Sequence, residues 1–210
     1  MSEAALLALI RSVAARDRKQ VFRLLAAGPE LAVRALRVGA TRQGASAYYF
    51  EEIPHYAYAG DTALHMAAAA HQVGIAKRLV SQGALVGARN RRGAEPLHYA
   101  ADGMPGSPAW DPEGQAEVVA FLIASGADPN ALDKSGVAPL HRAVRTRCSP
   151  AVRALLANGA DPNLRNKSGS TPLQLATRTT GRGGSGSAVA RFEQQQIIEL
   201  LVADRTKTWE

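Results

Sequence analysis

Four stretches, Thr62-Ala63-Leu64-His65, Glu95-Pro96-Leu97-His98, Ala138-Pro139-Leu140-His141 and Thr171-Pro172-Leu173-Gln174, carry one phrase through the chain. Their leucines stand 33, 43 and 33 residues apart, so the middle step is one period plus ten residues. A second phrase keeps the same beat: Gly83-Ala84, Gly126-Ala127-Asp128-Pro129-Asn130 and Gly159-Ala160-Asp161-Pro162-Asn163. Two unrelated phrases in phase at one period define a repeat array. Proline suits a first helical turn, where its missing N–H would be unpaired anyway, and a preceding threonine supplies an N-cap acceptor. Pro96, Pro139 and Pro172 therefore mark helix starts. Leu140, Ala143 and Val144, then Val152, Leu155 and Leu156, recur at helical spacing and end at Gly159, where a left-handed residue is expected. Each unit reads as two short helices and a turn. Such a pair cannot cover its own apolar face, so neighbours must stack.

These residues resemble the ankyrin repeat, with its turn, Thr-Pro-Leu-His helix start, Val-x-x-Leu-Leu second helix and Gly-Ala-Asp-x-Asn exit. The likeness spans roughly residues 58 to 201 and is fullest from Lys134 to Asn163. The copy starting at Gly60 lacks the Asp-Pro-Asn exit, and the last copy loses its exit altogether. The resemblance implies an all-α solenoid of helix-turn-helix units with projecting turns, working as a protein-interaction scaffold through its concave groove. Together with its insertions, the pattern also looks like a group of bacterial ankyrin-repeat proteins. One domain is expected over residues 1–210. It divides into a degenerate first repeat at 1–29, an inserted finger at 30–58, repeats at 59–90, 91–133 and 134–166, and a cap at 167–210. In the first unit, Val21-Phe22-Arg23-Leu24-Leu25-Ala26-Ala27-Gly28 copies Val152 to Gly159.

Composition sets bounds on class and compartment. At 46% hydrophobic the chain can form a core, and it contains no run of 18 apolar residues and no apolar signal segment. Neither a membrane span nor secretion is indicated. A single cysteine, Cys148, excludes an internal disulfide and suits a reducing compartment, so a cytoplasmic protein is expected; a monomer is the separate expectation for the protein alone.

The formal net charge is +7, and residues 1 to 43 hold eight basic against three acidic side chains. The turns between repeats are also basic: Arg89, Arg91 and Arg92 in the first, Lys134 in the second, Arg165 and Lys167 in the third. In ankyrin proteins these turns line one edge of the groove, so the resemblance implies a row of basic tips that would steer an acidic protein surface toward it. A plainly solvated edge is the alternative. Nucleic-acid binding is the second functional class, favoured by a sequence pI near 10.0 and opposed by the interleaved Asp and Glu of the last hundred residues and the lack of a reader motif.

Three interruptions break the period. Between Gly28 and Leu64 lie 22 residues more than between Gly83 and Leu97, and the excess holds Tyr48, Tyr49, Phe50, Tyr56 and Tyr58. A hairpin-like finger is expected there. Its aromatics would either anchor a partner or fold back onto the first repeats. The other two fall between the helices of a repeat, at Asp102 to Gln115, with Trp110 as a candidate contact or a cover for exposed core, and at Thr179 to about Glu193, whose glycine run reads as a linker. It lacks the Gly-Lys-Ser/Thr ending of a phosphate loop.

Catalytic chemistry is thin. His65, His98 and His141 repeat one position, and stacked helices stand about 8 to 10 Å apart, too far to share a zinc ion that needs its nitrogens near 2 Å. The resemblance implies that they tie turn to helix start. Cys148 follows Arg142, Arg145 and Arg147, cations that would lower a thiol pKa, so an exposed or redox-sensitive thiol is expected. Glu51 and Glu52 are adjacent and would face opposite ways in an extended segment. No cofactor, metal or enzymatic activity is expected, since a straight solenoid offers a groove where an enzyme needs a pocket.

Overall fold

A computed structural model describes residues 2–108, 110–178 and 187–207, with side chains through 203. The glycine run of the last insertion, up to Gly186, lies outside the described residues.

Among the described residues ten α-helices follow one another in pairs. They are α1 (Glu3–Ala14) with α2 (Arg18–Ala27), α3 (Ala63–Ala69) with α4 (Val73–Ser81), α5 (Pro96–Ala100) with α6 (Pro112–Ala124), α7 (Pro139–Thr146) with α8 (Ser149–Ala157), and α9 (Pro172–Thr177) with α10 (Ala188–Lys207). First helices pack on first helices, α1 on α3, α3 on α5, α5 on α7 and α7 on α9, while α4, α6, α8 and α10 form the second row. One apolar core runs the length of the stack, from Leu6 to Leu201.

The turns between pairs share one construction. Asn90 Oδ1 accepts the amides of Arg92 and Ala94, Asp133 Oδ1 those of Ser135 and Val137, and Asn166 Oδ1 those of Ser168 and Ser170. A short polar side chain thus closes each turn. Gly93, Gly136 and Gly169 follow with φ of 74, 66 and 73°, a region that favours glycine. After the second helices, Gly83, Gly126 and Gly159 are left-handed as the sequence requires.

The repeated histidines complete the frame. Nδ1 of His65, His98 and His141 accepts the amide of Thr62, Glu95 and Ala138 at 3.1, 3.1 and 3.2 Å. With Nδ1 accepting, Nε2 carries the proton and donates to a carbonyl of the next repeat: Ala94, Val137 and Ser170, at 3.2, 3.0 and 3.2 Å. Each histidine therefore caps its own helix and bolts it to its neighbour. In the last pair Gln174 Oε1 takes over the first task alone, accepting the Thr171 amide at 2.9 Å.

The first pair departs from the pattern. Gly28 is not left-handed but extended (φ −154°), and the chain passes into a 3-10 turn at Pro29–Ala32. It then runs antiparallel to the approach to α3, with Leu36 donating to Asp61 O, Gly60 to Leu36 O and Ala40 to Ala57 O. Farther out, β1 (Tyr49–Phe50) and β2 (His55–Tyr56) form a two-stranded antiparallel hairpin, pairing Tyr49 with Tyr56 and Phe50 with His55.

Candidate interaction site

The hairpin has two faces. Phe50 is 5% exposed and Ala57 fully buried, and Tyr48 and Ile53 pack against the core. Tyr49 and Tyr56 look outward, 37% and 39% exposed, with ring centroids 4.7 Å apart. The alternation of a strand divides this aromatic cluster between anchoring and display. Tyr58, near the base, is enclosed by two turn arginines: the Arg91 and Arg92 guanidinium carbons each lie 5.1 Å from its ring centre, and Arg92 donates to its hydroxyl at 3.1 Å. Arg91 also donates to Ala40 O. Two of the basic tips are thus spent on holding the hairpin.

The remaining tips divide as well. Arg89 pairs with Glu95 at 2.9 Å, Arg165 donates to Gly169 O at 2.7 Å, and Lys167 donates to Lys134 O. The Lys134 ammonium is exposed and has no hydrogen-bond or ion-pair partner among the described residues.

The hairpin tip lies over the face made by α5 and α7. His55 stacks on Tyr99 with centroids 4.4 Å apart. Below it sits a buried polar network that the motif search missed. Asp61, fully buried, accepts the Tyr58 amide at 2.6 Å, the Asn90 amide group at 2.8 Å and the Tyr99 hydroxyl at 2.8 Å. Burial and the Asp61 carboxylate push the Tyr99 hydroxyl well above its ordinary pKa, so it stays a donor. Arg142, 8% exposed, reaches Asp102 at 3.0 Å and Asp133 at 3.1 Å. A sequence signal existed: the residue after each repeated His or Gln is Met66, Tyr99, Arg142 and Leu175, and the two polar ones lie beneath the hairpin.

The loop from Asp102 to Gln115 closes the other side. Trp110 is half-buried and donates from Nε1 to Gln115 Oε1 at 3.0 Å, while Gln115 donates to the carbonyls of Ala100 and Asp102 at 3.0 and 3.2 Å. The indole acts as a latch on its own loop. A side chain at Gly103 would come within 2.7 Å of Cys148 Sγ, which explains why the loop passes here on a glycine. Hairpin and loop together border a half-open cavity of about 520 Å³ lined by His55, Tyr56, His71, Tyr99, Asp102 and Trp110 among others. The expectation of a bare groove without a pocket is corrected by this cleft. Of its histidines, His71 is held by a hydrogen bond to Asp102 O at 3.0 Å, and burial lowers the pKa of both His55 and His71.

Cys148 also differs from expectation. It is fully buried, and burial pushes its thiol up to about 12 despite the arginines before it. Two of those cations are engaged elsewhere, Arg142 with its carboxylates and Arg145 at the surface. In the folded protein at pH 8, a thiol reagent should modify Cys148 at least about 100-fold more slowly than in denaturant; equal rates would contradict the burial. Among the described residues no group of three His, Cys, Asp or Glu side chains is placed to hold a metal ion. No helix among them is long and apolar enough to cross a membrane.

Comparison with known families agrees with this architecture. The model described as "Ankyrin repeat" matches residues 59–91 and 92–134, and that described as "Ankyrin repeats (many copies)" matches residues 114–176. The chain belongs to the ankyrin-repeat family, whose arrays are generally protein–protein interaction modules and are typically non-catalytic. No curated protein matches the chain.

Proposed function

We propose that the protein is an interaction scaffold whose contact surface centres on the hairpin, with a protein of acidic surface as its partner. The observation that supports this most directly is the outward pair Tyr49 and Tyr56, more than a third exposed on a hairpin whose other face is buried in the core. Aromatic side chains held in place lose little entropy on binding, and such anchors dominate interface energetics. Trp110 and Tyr58 flank the surface, and Lys134, Lys167 and Arg165 place positive charge along the adjoining edge for steering.

Replacing Tyr49 and Tyr56 together by alanine should weaken capture of the partner from host lysate by at least about 30-fold, as expected for two anchors worth about 1 kcal/mol or more each. The melting temperature should move by no more than about 3 °C, because neither ring is in the core. Undiminished capture by the double variant would sink the reading. Recovery of nucleic acid alone, released by added salt, would favour the polyanion-binding alternative.

A further inference from the structure

Where α7 ends and α9 and α10 pack against it, a second cavity of about 320 Å³ is walled by Val144, Leu175 and Ile197 and by three arginines, Arg145, Arg147 and Arg178. Arg147 is 6% exposed, and its Nη1 is sealed from solvent without a hydrogen-bond partner. The ion pairs among the described residues include none of these three arginines. Among the described side chains of α10 the buried acidic one is Glu193, and its Oε2 accepts the Ser149 amide at 2.9 Å. Residues 179 to 186 contain no Asp or Glu. Arg178 holds Ser170 Oγ at 3.2 Å and has its other nitrogens to offer.

Arg142, five residues earlier and also buried, shows how this fold satisfies a guanidinium, with two carboxylates. Arg147 has no such partner among the described residues. A guanidinium cannot escape by losing its proton, and a buried cation without a counter-charge is strongly unfavourable. No carboxylate among the described residues supplies the missing charge, and an anion bound in the cavity would. A carboxylate carries one negative charge and suits one fork. Three arginines lining one cavity suit a group with about two negative charges and several acceptor oxygens.

We propose that this cavity binds a phosphate monoester. At about 320 Å³ it lies at the small end of ligand pockets, larger than a bare phosphate needs, and the apolar walls would receive the carbon skeleton that carries it. The phosphate belongs either to a free small molecule or to a phosphorylated side chain of a partner. The site is separate from the outward tyrosine pair and does not depend on the role proposed for it.

The test is calorimetric titration and thermal melting of the full chain in chloride buffer at fixed ionic strength, using inorganic phosphate, O-phosphoserine, a phosphoserine-containing pentapeptide and acetate as probes. Saturable binding and a rising melting temperature are expected with the phosphate probes and not with acetate. Arg147→Gln should weaken phosphate affinity at least tenfold, yet melt no lower than the parent in phosphate-free buffer, since it removes an unmatched buried charge. Arg178→Gln, at an exposed position, should weaken it severalfold and guards against a folding defect in the first variant. A peptide at least tenfold tighter than O-phosphoserine places the phosphate on a partner protein; equal affinities place it on a small molecule. Equal responses to acetate and phosphate, or affinity unchanged in both variants, would overturn the proposal.

Discussion

Acidification from pH 7 to pH 4 should lower the melting temperature steeply, with His98 contributing most clearly. Burial, aided by the nearby Arg142 cation, depresses the His98 pKa to about 4, and burial also lowers those of His65 and His141. The folded protein therefore keeps these rings neutral while the unfolded chain takes up protons near pH 6.5. Their contribution is fully present above pH 6.5 and is lost as pH falls toward the folded value. For His98 alone the window from 6.5 to about 4 is worth on the order of 3 kcal/mol. Glu95, whose carboxyl is raised by burial, acts in the opposite direction and offsets only part of this. Replacing His98 by Gln, the residue that already caps α9 from the equivalent position, should remove a large share of the pH dependence. It would keep the cap and forfeit the bridge to Val137. A melting temperature flat between pH 7 and 4.5 in the parent protein would contradict the ladder's neutral state. So would an unchanged pH slope in the variant.

The second large effect is expected at Asp61. Its carboxylate satisfies three donors from three places in the chain: the hairpin base at Tyr58, the turn at Asn90 and α5 at Tyr99. Asp61→Ala strands those donors in a fully buried setting. That should cost about 3 to 5 kcal/mol and lower the melting temperature by roughly 10 °C. Tyr99→Phe removes only one donor and should cost about 1 kcal/mol. Because Asp61 fastens the base of the hairpin, trypsin should also cut Asp61→Ala faster at the exposed Arg42. Cleavage at the parent's rate, with a small loss of stability, would mean the network is dispensable.

Much of the fold was legible because its determinants are local. A proline at the first helical turn, an Asn or Asp that closes its own turn, and a glycine with positive φ each act within about five residues, and the 33-residue period repeats them in register. The equivalence of His65, His98 and His141 argued against a shared metal, and the ankyrin resemblance supplied their role at the helix starts. The hairpin was legible as extended and aromatic. Its docking was not, because the contacts of Tyr58 with Arg91 and Arg92, and of His55 with Tyr99, join residues more than thirty positions apart. Charge was the least legible feature. Arg91 and Arg92 read as basic tips in sequence and Arg142 as a cation beside Cys148, yet they are occupied by a ring, a carbonyl and two carboxylates. Cys148 was misjudged for the same reason, since neighbours in sequence pointed away from it.

The histidine bridges also have a direction. Each runs from a helix start in one repeat to a carbonyl in the following one, and none among His65, His98 and His141 runs back. Each of these three repeats thus depends on its successor for the partner of a sealed ring proton, whereas the successor's own cap is complete without it. Force applied to the chain would meet this asymmetry as a grain in the material. Peeled from the last helix, the stack loses one bridge with each repeat and leaves the next ring proton bare; peeled from the first, it sheds repeats whose departure leaves every remaining cap intact.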